Sequence, residues 1–537
     1  MTEWATLADY IKGLDAAGKL VRVTTPINKD TEMHPLVRLQ FRGLPESQRK
    51  AFLFEEIVDS RGRRYDIPVL IGAMAGSSDI YALGMGCTVD EIPAKWAKAL
   101  ANPIAPRVVD RAPCQEIRIE GPELTRDGGG LGRLPVPIST PGFDNAPYTT
   151  ASHWITRNPT TGLHNVGNYR GMVKAENRLG AYPSMPGIGM REHMDLWRDK
   201  GADRVPCAVV IGAPPNVVYT AVTRVPNDVC EYDVAGGLSQ RPLDLVRCLT
   251  QDVLVPAQSE IVIEGTMPTD MLEIEGAFGE FPGYMAKRDH NFFLDVTCIT
   301  MRRNPTYLAI ISQLPPSESS KMRQIGRRAA AKKLLHDQGF LNVLDVHYLE
   351  CGGAYAMVVV QIKKQKPDDG KRVLQALAQK FIGKIAVAVD EDINIHEVEA
   401  VMWAISYRSQ PYRDMEILDV PLFALDPSIA PPDQSRGLID TEMAPRSSAL
   451  LIDATLPWPY PPLSLPKQEY MERAQTIWRD LQLPSLNLKD PWFGRSLGHW
   501  TPEEEEEADL AVKGRHYETG EKLRQRRRAF PLPKVRH

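Results

Sequence analysis

The spacing of apolar and polar positions changes character twice along the 537-residue chain. Over residues 5–20, Leu7, Tyr10, Ile11, Leu14 and Leu20 recur near helical spacing and Gly18 supplies a stop, which predicts a helix followed by a strand at Val21–Val23. The apolar runs Ala51–Val58 and Ile67–Gly72, joined by the charged turn Ser60–Arg63, read as extended segments, and Glu91–Leu100 reads as a second helix. Residues 1–130 are therefore expected to form a mixed α/β N-terminal domain. From 131 to 315 short strand-like runs dominate: Cys207–Gly212, Val217–Thr223, Glu260–Gly265, Phe292–Thr300 and Tyr307–Ser312. The last two flank Arg302-Arg303-Asn304-Pro305 and predict a hairpin, and the whole stretch predicts a β-barrel or sandwich.

Beyond 315 helical and extended patterns alternate. Residues 317–339, Gly370–Phe381 and Ile395–Ser406 read as helices, and Met357–Ile362 and Ile385–Val389 as strands. That alternation predicts an α/β domain with some parallel strands over 316–465. An extension over 466–537 carries Glu503–Glu507 and the basic stretch Arg524–Arg528, which read as solvated helix or disorder.

Composition narrows the class. Hydrophobic residues make up 43% and charged residues 25%, a globular balance, and a formal charge of -4 gives no global reason to expect a nucleic-acid partner. The seven cysteines are dispersed without a CxxC pair, which reads as reduced thiols used for packing. No run of about 18 apolar residues occurs and no basic-then-apolar leader opens the chain, so a cytoplasmic protein without a membrane span is expected. Asp127-Gly128-Gly129-Gly130-Leu131-Gly132 has the glycines of a phosphate loop. It lacks the Gly-Lys-Ser/Thr ending and dinucleotide spacing, and reads as a plain loop.

The stretch most suggestive of chemistry is Glu275-Gly276-Ala277-Phe278-Gly279-Glu280-Phe281-Pro282-Gly283-Tyr284. Its glycines permit turns and close approach of the backbone to a ligand, and deny a stable helix. Ala277, Phe278 and Phe281 would partly desolvate the two acids, and desolvation raises a carboxyl pKa towards that of a working acid. The competing reading is a surface loop with two solvated acids. Three further stretches hold ligand-type side chains: Asn165–Arg170, Met190–His193 and Ala221–Leu238. An Asn carbonyl, an imidazole and a carboxylate form a mixed N/O set suited to Mn²⁺, Mg²⁺ or a similar ion. A structural His at 193 is the alternative.

Taken together these stretches resemble the UbiD family of prenylated-FMN-dependent decarboxylases. The resemblance lies in Asn165-x-x-x-Tyr169-Arg170, Ala221-Val222-Thr223-x-Val225-Pro226, Glu231-Tyr232-x-x-Ala235-Gly236-x-Leu238, and Glu275-Gly276-x-Phe278-Gly279-Glu280 with Gly283-Tyr284. It continues through Val389-Asp390-Glu391-Asp392-Ile393, Trp403-Ala404 with Arg408, and Ile452-Asp453-Ala454-Thr455. The resemblance implies a central split β-barrel binding flavin and a C-terminal α/β domain that builds a homo-oligomer, a dimer or a hexamer. It implies that Asn165, His193 and Glu231 hold a divalent metal, Mn²⁺ or similar, that bridges the phosphate of prenylated FMN, with K⁺ nearby. Asn168, Tyr169, Arg170, Thr223 and Pro226 would contact the cofactor, as would Glu192, which competes with His193 for its assignment because Gly180–Gly189 reads as an insertion. Arg170, Glu275 and Glu280 would form the catalytic Arg–acid–acid network. A flavin prenyltransferase would supply the cofactor.

The implied reaction is reversible, non-oxidative decarboxylation of an aromatic, heteroaromatic or α,β-unsaturated acid, from a small hydroxybenzoate to a phthaloyl-type CoA thioester. An ordinary FMN-dependent oxidoreductase, or a non-catalytic subunit of a multi-subunit carboxylase, are the alternatives. Glu280 is expected to deliver the proton, Arg170 to anchor the substrate carboxylate with its planar fork, and Glu275 to hold Arg170 and stay ionised beside it. The more apolar surroundings are expected at Glu280.

Overall fold

The computed structural model describes residues 4–183, 189–223, 225, 229–378, 380, 383–420, 425–429 and 447–529. Pro226 and part of the Gly180–Gly189 stretch lie outside the described residues.

The first helix, Leu7–Ala16, starts where the Thr6 hydroxyl accepts from the Asp9 amide at 3.1 Å, and buries Leu7, Tyr10, Ile11 and Leu14 as their spacing predicts. The chain turns at Gly18, whose φ of +66° suits a residue without Cβ, into the strand Leu20–Val23. That strand joins Ala51–Phe54 and Val69–Ile71 in a four-stranded sheet whose fourth member is Tyr307–Ala309. The expected hairpin between Phe292–Thr300 and Tyr307–Ser312 is therefore absent: Tyr307–Ala309 pairs in parallel with Val69–Ile71, and the Tyr307 amide donates to Pro68 O at 2.8 Å. All three of its residues are buried, so an already covered sheet suits it better than a hairpin edge.

A second correction concerns Val217–Thr223. These residues are largely helix, Pro215–Ala221, in spite of two adjacent valines. Pro214-Pro215 starts the helix where a missing N–H costs nothing, and burial of Val217, Val218, Tyr219, Thr220 and Ala221 overrides their strand propensity.

The central region is built on a ten-stranded sheet. Its main path runs His164–Asn168, Ser152–Arg157, Arg204–Ile211, Ile261–Pro268, Asp289–Met301, Arg178–Ala181, Gly171–Ala175 and Tyr148–Thr149, and Glu273–Glu275 and Ile117–Glu120 both pair with Asp289–Met301. Among the described residues no pairing joins the two ends, so this is an open antiparallel sheet rather than a closed barrel.

The glycine-rich stretch 127–132, which reads as a plain loop, cradles the chain's own carboxylate. The amides of Gly128, Gly130 and Gly132 donate to Glu176 at 2.7, 3.0 and 2.9 Å. A Cβ at Gly130 would stand 2.2 Å from Glu176 O, so the close approach requires glycine. Glu176 sits at the tip of the hairpin formed by Gly171–Ala175 and Arg178–Ala181, whose open end carries Arg170 and Tyr182. Glu176→Ala should strand three amides and lower stability by about 1–3 kcal/mol. An unchanged unfolding midpoint in denaturant would show that the cradle holds nothing.

In the C-terminal region five strands run in the order Val343–Tyr348, Met357–Ile362, Ile385–Asp390, Ser447–Ala454, Met415–Val420, with the inner pairs parallel and both edges antiparallel. Helices Glu318–Asp337 and Asp369–Ala378 cover one face and Val398–Arg408 the other. The first residue of the long helix, Glu318, is fully buried and accepts from the amides of Gly72, Met74 and Ile311 at 3.0, 3.1 and 2.8 Å. Together with a capping box of Ser317 and Ser320, this fixes where the helix begins. Helices Gln468–Asp480, Pro502–Val512 and His516–Arg524 bury no residue, and Lys522 reaches Glu503 at 2.8 Å to tie the last two together. Among the described residues no helix is long and apolar enough to cross a membrane.

Candidate active site

Arg170 stands at the end of the strand His164–Asn168, where the Tyr169 carbonyl is held by the Ser152 hydroxyl at 2.7 Å and the Trp154 indole at 3.0 Å. Its guanidinium is buried between the two acids singled out from the sequence. Nε and Nη2 donate to Glu275 at 3.0 and 2.7 Å, and Nη1 donates to Glu280. Tyr182 lies against one face, with Cζ 4.2 Å from the ring centroid, and Phe278 is 5.6 Å away. Burial alone would lower the Arg170 pKa, but the Glu280 and Glu275 charges outweigh it and the guanidinium ends well above its ordinary value.

The two acids are held differently. Glu275 ends the strand Glu273–Glu275, is fully buried, and accepts a further bond from Asn291 Nδ2 at 2.6 Å. Gly276 follows because any Cβ there would meet Asn145 Oδ1 at 1.9 Å. Glu280 sits on a tight turn: its amide donates to Tyr284 O at 2.9 Å, and Gly283, at φ +103°, returns a bond to its carbonyl at 3.0 Å. The Asp144 carboxylate accepts from the Gly279 amide at 3.1 Å and braces that turn. Among the described residues only Oε1 of Glu280 has a partner, so Oε2 is left for the cavity.

Two expectations change here. The Glu280 side chain keeps 12% of its surface exposed against 0% for Glu275, so the deeper site belongs to Glu275. The Arg170 fork reserved for the substrate carboxylate is filled by Glu275. Arg170 positions the acids and has no fork to spare.

A cavity of about 280 Å³ opens beside this triad. Arg170, Glu280, Tyr182, Phe278 and Phe281 form one part of its wall, Thr150, Gly167, Asn168 and Tyr169 another, and Ser319, Met322 and Arg323 of the long C-terminal helix close it. Asn168 and Tyr169 thus both line the cavity. Glu192 is half-buried outside the wall, and Thr223 bonds Tyr219 O at 2.8 Å behind it, although its neighbours Ala221 and Val222 do line it. The sequence reading missed Tyr182 and Arg323. Tyr182 fell in the supposed insertion, and Arg323 in a basic run, Lys321 to Arg328, that reads as an ordinary solvated helix face.

Asn165, His193 and Glu231 gather around one strand. Thr156, directly across the sheet from Asn165, bonds His193 Nδ1 at 2.9 Å, and Glu231 Oε2 accepts from the Val166 amide at 3.0 Å. A Cβ on Gly189, first residue of the helix carrying His193, would fall 2.9 Å from Asn165 Oδ1. Burial lowers His193 to about 4, leaving a neutral imidazole, and raises Glu231 to about 7. Among the described residues the side-chain nitrogen of Asn165 and the oxygen of Asn168 are buried without hydrogen-bond partners, and amide ends are interchangeable by a flip. Stranded polar atoms beside an N/O donor set fit a polar, metal-tethered group. Among the described residues no three His, Cys, Asp or Glu side chains cluster at metal-binding range, so an ion here would need the Asn165 amide as its third ligand. All seven cysteines are free, five of them buried.

The chain thus presents an arginine held between two carboxylates on a cavity wall, within an N-terminal, a central and a C-terminal region. The chain matches the profiles described as 3-octaprenyl-4-hydroxybenzoate carboxy-lyase N-terminal domain over residues 11–100, Rift-related domain over 107–315 and C-terminal domain over 320–454. It belongs to the UbiD family of carboxy-lyases. Among solved structures it resembles the UbiD-class enzyme HmfF from Pelotomaculum thermopropionicum in complex with FMN, at 30% identity and a TM-score of 0.74, covering 88% of this chain and 99% of that one. An evolved dimeric form of HmfF in complex with prFMN is 29% identical, with a TM-score of 0.72 and coverage of 86% and 97%. Vanillic acid decarboxylase from Sedimentibacter hydroxybenzoicus, in its closed form, is 25% identical with a TM-score of 0.74, covering 89% and 100%.

Proposed function

We propose that this protein catalyses reversible, non-oxidative decarboxylation of an aromatic, heteroaromatic or α,β-unsaturated carboxylic acid with prenylated FMN, and that Glu280 delivers the proton. The observation that carries this reading is Arg170 clamped between Glu275 and Glu280 on the cavity wall. The FMN and prFMN complexes of HmfF support the flavin. Asn168 and Tyr169 would contact it, and Asn165, His193 and Glu231 would hold a divalent ion, Mn²⁺ or similar, at its phosphate, with K⁺ beside it. When bound, prenylated FMN supplies the electron sink that a carbanion on an sp² carbon lacks.

The chain's own residues do the rest. Glu275 and Asn291 fix the Arg170 plane, and Arg170 Nη1 holds Glu280 Oε1, which aims Oε2 at the carbon that loses CO₂. Proton transfer from that oxygen needs a donor within about 3 Å of the carbon's position. Phe278, Phe281 and Tyr182 exclude water from the triad and strengthen its electrostatics. We also propose a homo-oligomer, dimer or hexamer, and a flavin prenyltransferase as cofactor supplier.

The test is an absorbance spectrum and intact cofactor mass after co-expression with a flavin prenyltransferase, followed by a screen of aromatic acids for CO₂ release. A mass matching prenylated FMN with CO₂ release supports the proposal. Unmodified FMN under those conditions would point to oxidoreductase chemistry instead. Glu231→Ala should lose metal and flavin together, and full flavin retention in that variant would count against the metal set.

A further inference from the structure

The helix Gln468–Asp480 lies past residue 454, where the match to the C-terminal family profile ends, and it buries no residue. Its side chains nonetheless divide into distinct faces. Met471, Gln475 and Trp478, spaced four and three apart, are half-buried, and the Trp478 indole donates to Pro484 O at 2.6 Å. Tyr470, Ala474, Ile477 and Leu481 form the neighbouring face, and all four are exposed. Leu481 belongs to it because its backbone is still helical and its amide donates to Ile477 O at 3.0 Å. Steps of four, three and four residues align these side chains in one apolar seam, the a/d spacing of a coiled coil. Arg473 and Asp480 flank the seam on one side, and among the described residues neither has a charged partner.

A contiguous apolar stripe left in water marks a surface that another surface covers. We propose that this seam is a contact between two copies of the chain, in which the helix Gln468–Asp480 packs antiparallel against the same helix of the second copy. The inference rests on the homo-oligomer proposed above and names one of its surfaces. The seam is a palindrome, since reversing the chain direction preserves its steps of four, three and four. A two-fold axis midway between Gln475 and Thr476 therefore sets Tyr470 against Leu481 of the second copy and Ala474 against its Ile477, each contact occurring twice. The small Ala474 thus meets a branched side chain in both middle layers. The flanking charges select the direction. Arg473 and Asp480 stand seven residues apart, about 10 Å along one helix, too far to pair with each other. Antiparallel packing brings Arg473 beside Asp480 of the second copy, and the symmetry repeats the pair. Parallel packing would set Arg473 beside Trp478 of the second copy and leave both charges unanswered. A foreign partner would require neither the palindrome nor the matched flank, and a second copy uses both.

The test follows the full chain through a dilution series by sedimentation velocity and mass photometry. Wild type should assemble, and Ile477→Glu, which drives a charge into the seam twice per contact, should raise the dissociation constant of one assembly step by at least about 10-fold. Its secondary structure should match wild type, because the residue is exposed. Arg473→Asp sets two acids together and should weaken the same step by about 3- to 30-fold at low salt. Adding Asp480→Arg to it should restore affinity to within about threefold of wild type, a rescue that a merely local effect of either residue would not give. Direction is read by cross-linking. Ala474→Cys and Ile477→Cys, each combined with Cys351→Ser to remove the exposed thiol, are mixed and oxidised with diamide. The two variants should link to each other in preference to either linking to itself. An assembly of Ile477→Glu identical to wild type at every dilution, no rescue by the charge exchange, or Ala474→Cys linking to itself as readily as to Ile477→Cys overturns this contact and leaves the homo-oligomer to other surfaces. A wild type that stays monomeric throughout overturns both.

Discussion

Glu280→Gln is expected to lose at least about 100-fold in turnover, the low end of what a positioned general acid contributes, while flavin content and melting temperature stay near wild type. The amide keeps the shape of the side chain, and its oxygen still accepts from Arg170 Nη1, so the turn at 280–284 and the cavity wall persist. What disappears is an exchangeable carboxyl proton at the oxygen facing the cavity. Arg170 retains its two bonds to Glu275, so little else in the triad has reason to move. The measurement is single-turnover CO₂ release with an acid that wild type decarboxylates, alongside flavin content. Turnover within a few-fold of wild type would remove Glu280 from the proton-delivery role and leave it a holder of Arg170.

Much of this site is written in local sequence, because local sequence sets turns and glycine requirements. Gly276 and Gly283 were expected to shape the acid-bearing segment, and each is required by a specific clash or a positive φ. The periodic helices and the alternation after residue 315 follow from apolar spacing in the same way. Long-range pairing is not written there. Nothing near Tyr307 says that its partner lies at Val69, more than two hundred residues earlier, and nothing in Val217-Val218 reveals that burial on all sides will favour a helix. The burial order of Glu275 and Glu280 was misjudged for a related reason. Both have apolar neighbours in sequence, but depth is set by Asn291 and Arg170 arriving from other strands. Arg323 was hidden because a basic helix face and a cation aimed into a pocket share one sequence pattern. Only the fixed helix start at Glu318 decides between them.

Arg170→Met should be the most damaging single change to the fold of the site, lowering stability by about 3–5 kcal/mol as well as abolishing turnover. Glu275 is wholly buried and its charge is answered by the Arg170 fork and one amide of Asn291. Without the guanidinium a buried carboxylate faces methionine, and the cost of that uncompensated charge exceeds the net value of the original pair. The double variant Arg170→Met with Glu275→Met separates the two effects. Removing both charges replaces the pair by apolar volume, which is often near neutral, so most of the lost stability should return. The orphaned Asn291 amide keeps about 1–3 kcal/mol of it from returning. Turnover should not recover at all, since Glu280 has lost the group that aims it. Thermal melts and CO₂ release on the three proteins decide the matter. A double variant as unstable as the single one would mean that the triad is held by packing of Tyr182 and Phe278 rather than by the balance of its charges.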